Sequence, residues 1–349
     1  MVKKLLLLCL CLIVLAGVGA QVVADWWSSP VDDAAGTGSA GQVIYVSEGS
    51  SLASVSRELA AAGLLTWPRL WTLVARVKGL DGSIKRGEYR FDVGNSPAGL
   101  LLALVEGKVI RYSVTLPEGI TLAQALGTLQ AEEALASVLD GDRDPRLLAL
   151  AQSRESAEGL FFPDTYSYTR GETDLAILTQ ARQRMELELE SAWASRDPGL
   201  PYASSYELLV MASIVEKETG VPQERGEIAG VFVRRLEANM RLQTDPTVIY
   251  GLGSDFDGNL RRRHLEDSGN RFNTYRHKGL PPTPIALPGA AAIRAAVEPS
   301  PGSNLYFVAR GDGSHEFSET LEQHTAAVRR YQLKRRSDYR SSPPPGDGT

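Results

Sequence analysis

The chain opens on an unbroken apolar run. After Met1-Val2-Lys3-Lys4, the stretch from Leu5 to Ala24 carries no charge, and only Gln21 in it is strongly polar. Wound as a helix at about 1.5 Å per residue, it predicts a span of about 30 Å, the thickness of a hydrocarbon core. Lys3 and Lys4 place the N-terminus in the cytoplasm and everything after Asp25 across the membrane, with Trp26 and Trp27 at the far interface. Small residues at Val18-Gly19-Ala20 offer the alternative of a cleaved signal peptide. The run continues past Ala20 and the Trp pair follows it, which favours an uncleaved anchor. From Ser28 to Gly41 the pattern disappears into Ser, Pro, Asp, Ala, Thr and Gly, the composition of a flexible tether. Gly36, Gly38 and Gly41 match a dinucleotide-binding GxGxxG only formally, because no strand precedes them.

Beyond the tether, two periodicities alternate. Val43 to Val46 reads as a strand, and Ser50 is a candidate cap for a helix with Leu52, Val55, Leu59 and Ala62 on one face. Leu70 to Val77 continues helical, Glu88 to Phe91 reads as a strand, and Ser96-Pro97 opens another helix over Leu100 to Val105. An internal echo follows. Val46-Ser-Glu48-Gly49-Ser-Ser-Leu52 recurs 70 residues on as Leu116-Pro-Glu118-Gly119-Ile-Thr-Leu122, each time a strand end, a Glu-Gly turn and a helix start. Near the C-terminus, Asn304 to Ala309 and His315 to Phe317, joined through Asp312-Gly313, predict a hairpin. Thr320 and Gln323 predict a capping box for a last helix to about Lys334, and the proline-rich end beyond Ser341 reads as disordered. The predicted organisation is α+β: residues 1–4 a cytoplasmic tail, 5–24 the transmembrane helix, 25–41 the tether, 42–111 a small α+β module, 112–336 a larger mixed α/β domain, and 337–349 a disordered tail.

Composition narrows the function classes. At 349 residues, with 43% hydrophobic and 23% charged positions, this is a folded chain of about two domains. A formal net charge of −5, from 37 Lys and Arg against 42 Asp and Glu, supplies no field for nucleic acid. Cys9 and Cys11, the only cysteines, lie in the apolar run, so neither a disulfide framework nor a cysteine-ligated zinc is available downstream. His264, His277, His315 and His324 show no paired metal spacing, and neither a GxSxG elbow nor a Walker loop is present. No metal and no cofactor are expected, and carboxylate chemistry remains.

Tyr206 to Thr219 is the most informative helix. It is apolar nearly all round from Leu208 to Val215, which predicts burial, and it ends in Glu216-Lys217-Glu218. At about 100° per residue, Glu218 lies within roughly 60° of Met211, Ile214 and Val215, whereas Glu216 points almost the opposite way. Gly220 and Pro222 stop the helix, so Glu218 sits at the negative end of the dipole. Burial and dipole both raise its pKa, as an acid that protonates a glycosidic oxygen requires. A structural salt bridge from Glu218 to Arg225 or Arg234 reads these residues equally well. Gln243 and Thr244 precede an Asp245-Pro246 helix start, where Asp245 also reads as a plain N-cap. Asn273 and Tyr275 stand before Gly279-Leu-Pro-Pro-Thr-Pro284-Ile-Ala-Leu-Pro288-Gly289, a proline-set wall suited to a groove for an extended polymer. In Glu158-Gly-Leu-Phe161-Phe162-Pro-Asp164-Thr-Tyr166, the two phenylalanines read as core.

These segments in this order, "EGLFFPDTY", "MASIVEKETG", "RLQTDPTVIYG", "NTYRHKGLPPTPIALPG" and "YFVARGDGSHEF", resemble the YceG-like (MltG-type) family of endolytic murein transglycosylases, from about Leu116 to Tyr331. The opening at Val43 to Leu59 also resembles LysM modules, small domains that bind N-acetylglucosamine-containing glycans; a plain spacer is the alternative for this region. The resemblance implies cleavage of the β-1,4 bond between N-acetylmuramic acid and N-acetylglucosamine in nascent glycan strands, leaving 1,6-anhydro ends and limiting strand elongation. Its single catalytic glutamate carries over to Glu218, with Gln243, Thr244, Asp245, Asn273 and Tyr275 as candidate substrate-binding residues. Implied partners are peptidoglycan glycan strands and peptidoglycan synthases, the penicillin-binding proteins. The implied location is the bacterial inner membrane, single-pass, with the catalytic domain in the periplasm. Two other readings use the same residues: a hydrolytic muramidase pairing Glu218 with Asp245, and a non-catalytic wall-binding protein. Hydrolysis ordinarily needs a second carboxylate about 5–9.5 Å away. Glu207, on Glu218's face but 11 residues upstream, is about 16 Å off along the axis.

Overall fold

The computed structural model describes residues 2–30, 41–92, 94–151 and 154–332. All but Gly41 of the GxGxxG match, the centre of the tether and the tail beyond residue 332 therefore lie outside the described residues. The chain divides into two compact units, Met1–Tyr112 with Ser167–Glu172, and Ser113–Tyr166 with Thr173–Thr349.

In the first unit, the N-terminal run forms one helix, α1 (Val2–Ser28), long and apolar enough to cross a membrane. It continues four residues past Ala24, so Asp25 to Ser28 are helical. Then come β1 (Gln42–Val46), α2 (Leu52–Ala61), α3 (Pro68–Val77), β2 (Gly87–Phe91) and α4 (Pro97–Glu106). β1 and β2 pair antiparallel with Val46 opposite Gly87, and alternation along the strands turns Ile44, Val46, Tyr89 and Phe91 into the core. The cap of α2 is Ser51, whose hydroxyl accepts from the Ser54 amide, one residue later than the expected Ser50. Trp71, fully buried, donates from Nε1 to the Pro97 carbonyl at 2.8 Å. Trp26 and Trp27, expected at the far membrane interface, also pack on this core. The Trp26 ring lies 5.2 Å from that of Trp67 and its Nε1 donates to Thr66 Oγ1.

The second unit carries β3 (Tyr112–Thr115), which opens at the last residue of the first unit, α5 (Leu122–Gln130), α6 (Pro145–Leu150), β4 (Thr165–Tyr168), whose last two residues belong to the first unit, α7 (Asp174–Ser195), α8 (Ser205–Glu218), α9 (Arg225–Glu237), α10 (Asp245–Leu252), α11 (Arg262–Glu266), α12 (Ala290–Val297), β5 (Tyr306–Ala309), β6 (His315–Ser318) and α13 (Leu321–Tyr331). The echo is structural. Thr121 caps α5 as Ser51 caps α2, and Gly49 and Gly119 both take the left-handed backbone, at φ +77° and +75°. β5 and β6 form the expected hairpin, and Thr320 and Gln323 form the expected capping box on α13. The α+β class holds, but the alternation does not assemble a shared sheet among the described residues: β1–β2, β3–β4 and β5–β6 each remain a pair. In the second unit the helices supply most of the core. α8, buried from Leu208 to Val215, is its axis, packed by α12, α9, α7 and α10.

Candidate active site

α8 ends at Glu218 because Thr219 leaves helical geometry, at φ −141° and ψ 135°, ahead of Gly220 and a short 3₁₀ turn over Pro222–Glu224. The last turn opens on a cavity of about 360 Å³ lined by Glu118, Gly119, Ile120, Gln124, Glu216, Lys217, Glu218, Thr219, Gly220, Arg225 and Gly313. Three segments far apart in sequence meet there: the echo turn at 118–120, the end of α8, and the tip of the β5–β6 hairpin at Gly313.

Glu218 accepts a short hydrogen bond from the Thr244 hydroxyl. Its carboxyl is pushed up to about 7, chiefly by burial; the Thr244 bond and the Arg235 cation oppose the rise, and the Asp245 carboxylate adds to it. The alternative salt bridge does not form. Arg225 reaches Glu216 at 3.8 Å, and Arg234 donates to the carbonyls of Asn304 and Ser300. Helical geometry set Glu216 on the opposite face, yet both carboxyls line the cavity because the helix stops there. Glu216 accepts from the Gly289 amide at 3.0 Å, and burial raises its pKa as well.

The five other predicted residues gather beside Glu218 on the side of Thr244, and none of them is among the described residues lining the cavity. Thr244 occupies the N-cap position of α10 without capping it, since its hydroxyl goes to Glu218. Asp245 is thereby the first residue of α10, not the cap expected from sequence. Buried Thr244, Thr247 and Thr274 interlock: Thr274 Oγ1 accepts from the Thr244 amide at 3.0 Å and lies 2.9 Å from Thr247 Oγ1, which donates to the Thr244 carbonyl at 2.7 Å. The Tyr275 hydroxyl donates to Asp245 Oδ1 at 2.6 Å, and burial raises its pKa. Gln243 holds φ +55°, an uncommon backbone for a residue with a side chain and a local strain of the kind that collects at functional positions. Asn273 is fully buried, with Nδ2 directed at the carbonyls of His264, Leu265 and Asp267 and Oδ1 accepting from the Tyr275 amide. Its polar atoms are thus committed to shaping the loop that presents Tyr275.

The proline-set segment is placed differently from expectation. Thr283 to Gly289 is buried, and Leu287 exchanges backbone bonds with Gly119 and Ile120 at 2.8 Å, so it backs the turn lining the cavity and leaves the lining itself to Glu118–Ile120. Phe161 and Phe162 are core, as predicted. Four polar residues around Glu218 were not among the site candidates read from sequence. Lys217 donates to the Gly119 carbonyl at 2.9 Å. Arg235, buried on α9, donates to the carbonyls of Leu242 and Leu305 and fixes the segment leading into Thr244. Arg225 Nε has no hydrogen-bond partner among the described residues, and Glu118 joins the lining through the echo turn. Arg235 carried a legible signal, a cation embedded in the apolar pattern of α9; the other three lie on ordinary polar stretches.

The profile of the YceG-like family matches residues 44–330, which include every residue of this site. The chain belongs to the YceG-like family. It is 28% identical over 306 residues to an endolytic murein transglycosylase of Bacillus subtilis, across 82% of this chain and 84% of that protein. An endolytic murein transglycosylase of Streptococcus pneumoniae serotype 2 is also 28% identical, over 319 residues, and this chain spans 57% of its length. A crystal structure of a YceG-like protein from Listeria monocytogenes superposes with a TM-score of 0.52 at 25% identity, covering 82% of this chain and 99% of that one.

Proposed function

We propose that this protein is an endolytic murein transglycosylase in which Glu218 is the single catalytic acid and base. The observation that carries the reading is a cavity-lining carboxyl with its pKa near 7 and a hydroxyl partner fixing one oxygen. Protonated Glu218 donates to the oxygen leaving muramoyl C1 as that bond breaks. The resulting carboxylate takes the proton of the muramoyl C6 hydroxyl, whose oxygen closes on C1 to form the 1,6-anhydro ring, and Glu218 ends protonated as it began. No water enters and no second carboxylate is required.

Exposed Gln243 and Asp245 and half-buried Tyr275 are the proposed glycan contacts, with Thr244 orienting Glu218 and Asn273 holding the Tyr275 loop. α1 is the single-pass anchor in the inner membrane, with the cavity on the periplasmic side, where nascent strands and the penicillin-binding proteins that make them are the partners. The module at 42–111 is LysM-like in its opening, and its antiparallel β1 and β2 frame two helices. The names of the relatives support the reaction. Mass spectrometry of products from purified peptidoglycan tests it: 1,6-anhydro-muramoyl ends are expected, reducing muramoyl ends would transfer the reading to hydrolysis with Asp245, and intact strands would leave a wall-binding protein.

A further inference from the structure

α3 has an apolar arc wider than its core contacts require. Trp71, Thr72 and Ala75 face the first unit's core. At about 100° per residue, Leu70, Leu73, Val74 and Val77 form a second, outward stripe on the helix. On that stripe Leu73 is 56% and Val77 82% exposed, with Trp67 at the helix start 46% exposed. Arg69 and Arg76 fall together along one edge of the stripe, and Lys78 follows Val77. Apolar residues bordered by cations are the pattern of a helix lying in a bilayer surface, its stripe among the acyl chains and its cations at anionic headgroups.

The position of α3 on the chain supplies the partner. If α1 spans the membrane, its apolar stretch of about 20 residues crosses a core of about 30 Å, and Asp25 to Ser28 emerge at the far headgroups. Both ends of α3 touch that emergence point. Trp67 lies 5.2 Å from Trp26 at one end, and Lys78 Nζ lies 5.7 Å from the Trp27 ring at the other. α4 also packs on α1 and exposes Leu102.

We propose that the outer stripe of α3 seats the first unit on the leaflet from which α1 emerges, with phospholipid as its partner and Arg69, Arg76 and Lys78 contacting anionic headgroups. This rests on the anchor reading of α1, and the test separates the two. The full chain with Cys9→Ala and Cys11→Ala is reconstituted into vesicles of phosphatidylethanolamine and phosphatidylglycerol. It carries one spin label at a time, through Val14→Cys, Leu73→Cys, Val77→Cys or Glu58→Cys. Labels at 73 and 77 are expected to collide severalfold more with oxygen than with a water-soluble nickel complex, matching 14 and opposing 58. Labels at 73 and 77 as open to nickel as the label at 58 overturn the proposal, whatever the label at 14 reports. A lipid-exposed label at 14 in that case leaves the anchor standing alone. A water-exposed label at 14 with 73 and 77 in lipid removes the anchor reading and retains the seated face.

Discussion

Glu218 differs from an ordinary surface glutamate through the identity of its neighbours. Burial raises its pKa to about 7, Asp245 adds to the rise, and Thr244 and Arg235 restrain it. If Glu218 acts as proposed, the acid form is the active one, so activity is expected at lower pH and should fall as pH rises through about 7, which a pH profile of kcat/KM on peptidoglycan reads directly. Asp245→Asn removes a raising influence and should move that limb to lower pH; Thr244→Val removes a lowering one and should move it higher. A limb that stays fixed in both variants would show that another group titrates. Glu218→Gln is nearly isosteric and cannot donate the proton, so turnover should fall by about 10²–10⁴-fold with the fold intact. Glu216→Gln should be much milder, since Glu216 already accepts from Gly289. Inactive Glu216→Gln beside fully active Glu218→Gln would assign the acid to the wrong carboxyl.

At the scale of elements, the cavity depends on backbones that approach closely. A Cβ built on Gly289 would lie 1.8 Å from Glu118 Oε1 and 2.2 Å from its Cδ. Gly289→Ala should therefore push Glu118 out of place, lowering turnover while calorimetry shows little change in melting temperature, because the displaced group is a side chain on the cavity rim. Glu158 joins other elements. Its carboxylate accepts from the Leu122 amide at the start of α5 and from the Tyr250 hydroxyl in α10, and burial pushes its pKa up to about 7. Its folded pKa exceeds its unfolded value near 4.5, so the folded state keeps a proton that the unfolded chain releases. Stability is then expected to decline as pH rises from about 4.5 to 7, and to level off above that, by on the order of 3 kcal/mol. Glu158→Gln cannot ionise and should gain in melting temperature relative to the parent between pH 5 and pH 8. A difference constant across that range would show that Glu158 stays ionised in the fold.

For the whole molecule, every group assigned to the chemistry lies in the second unit, whereas α1 belongs to the first. A chain beginning at Gln42 should still produce anhydro-ended fragments from purified peptidoglycan, as product mass spectrometry would show. Its first unit should melt at lower temperature, because Trp26 and Trp27 no longer cover the cluster around Trp71. Loss of cleavage in that chain would mean that α1 shapes the site. Trp26 and Trp27 also hold the end of α1 against the module.

Features set by a residue's near neighbours were legible in the sequence. The apolar run of α1, the all-round burial of α8 and its stop before Gly220, the β5–β6 hairpin, the Thr320 capping box and the echo at Gly49 and Gly119 all follow from periodicity, capping and left-handed glycine, which act within a few residues. The motif order carried the family, and the apolar stripe under Glu218 predicted a raised pKa. Only the tertiary structure decided what surrounds that carboxyl. Thr244 is 26 residues away, Arg235 arrives from another helix, and Glu118 and Gly313 are nearly two hundred residues apart. Periodicity reports that a side chain is buried and is silent on its partner. It separated Glu216 from Glu218 by the geometry of an endless helix, while the real α8 ends at Glu218 and opens both carboxyls onto one cavity. Polar partners are selected by which backbones the packing of α8, α9, α10 and α12 brings together, and that is a property of the assembled core.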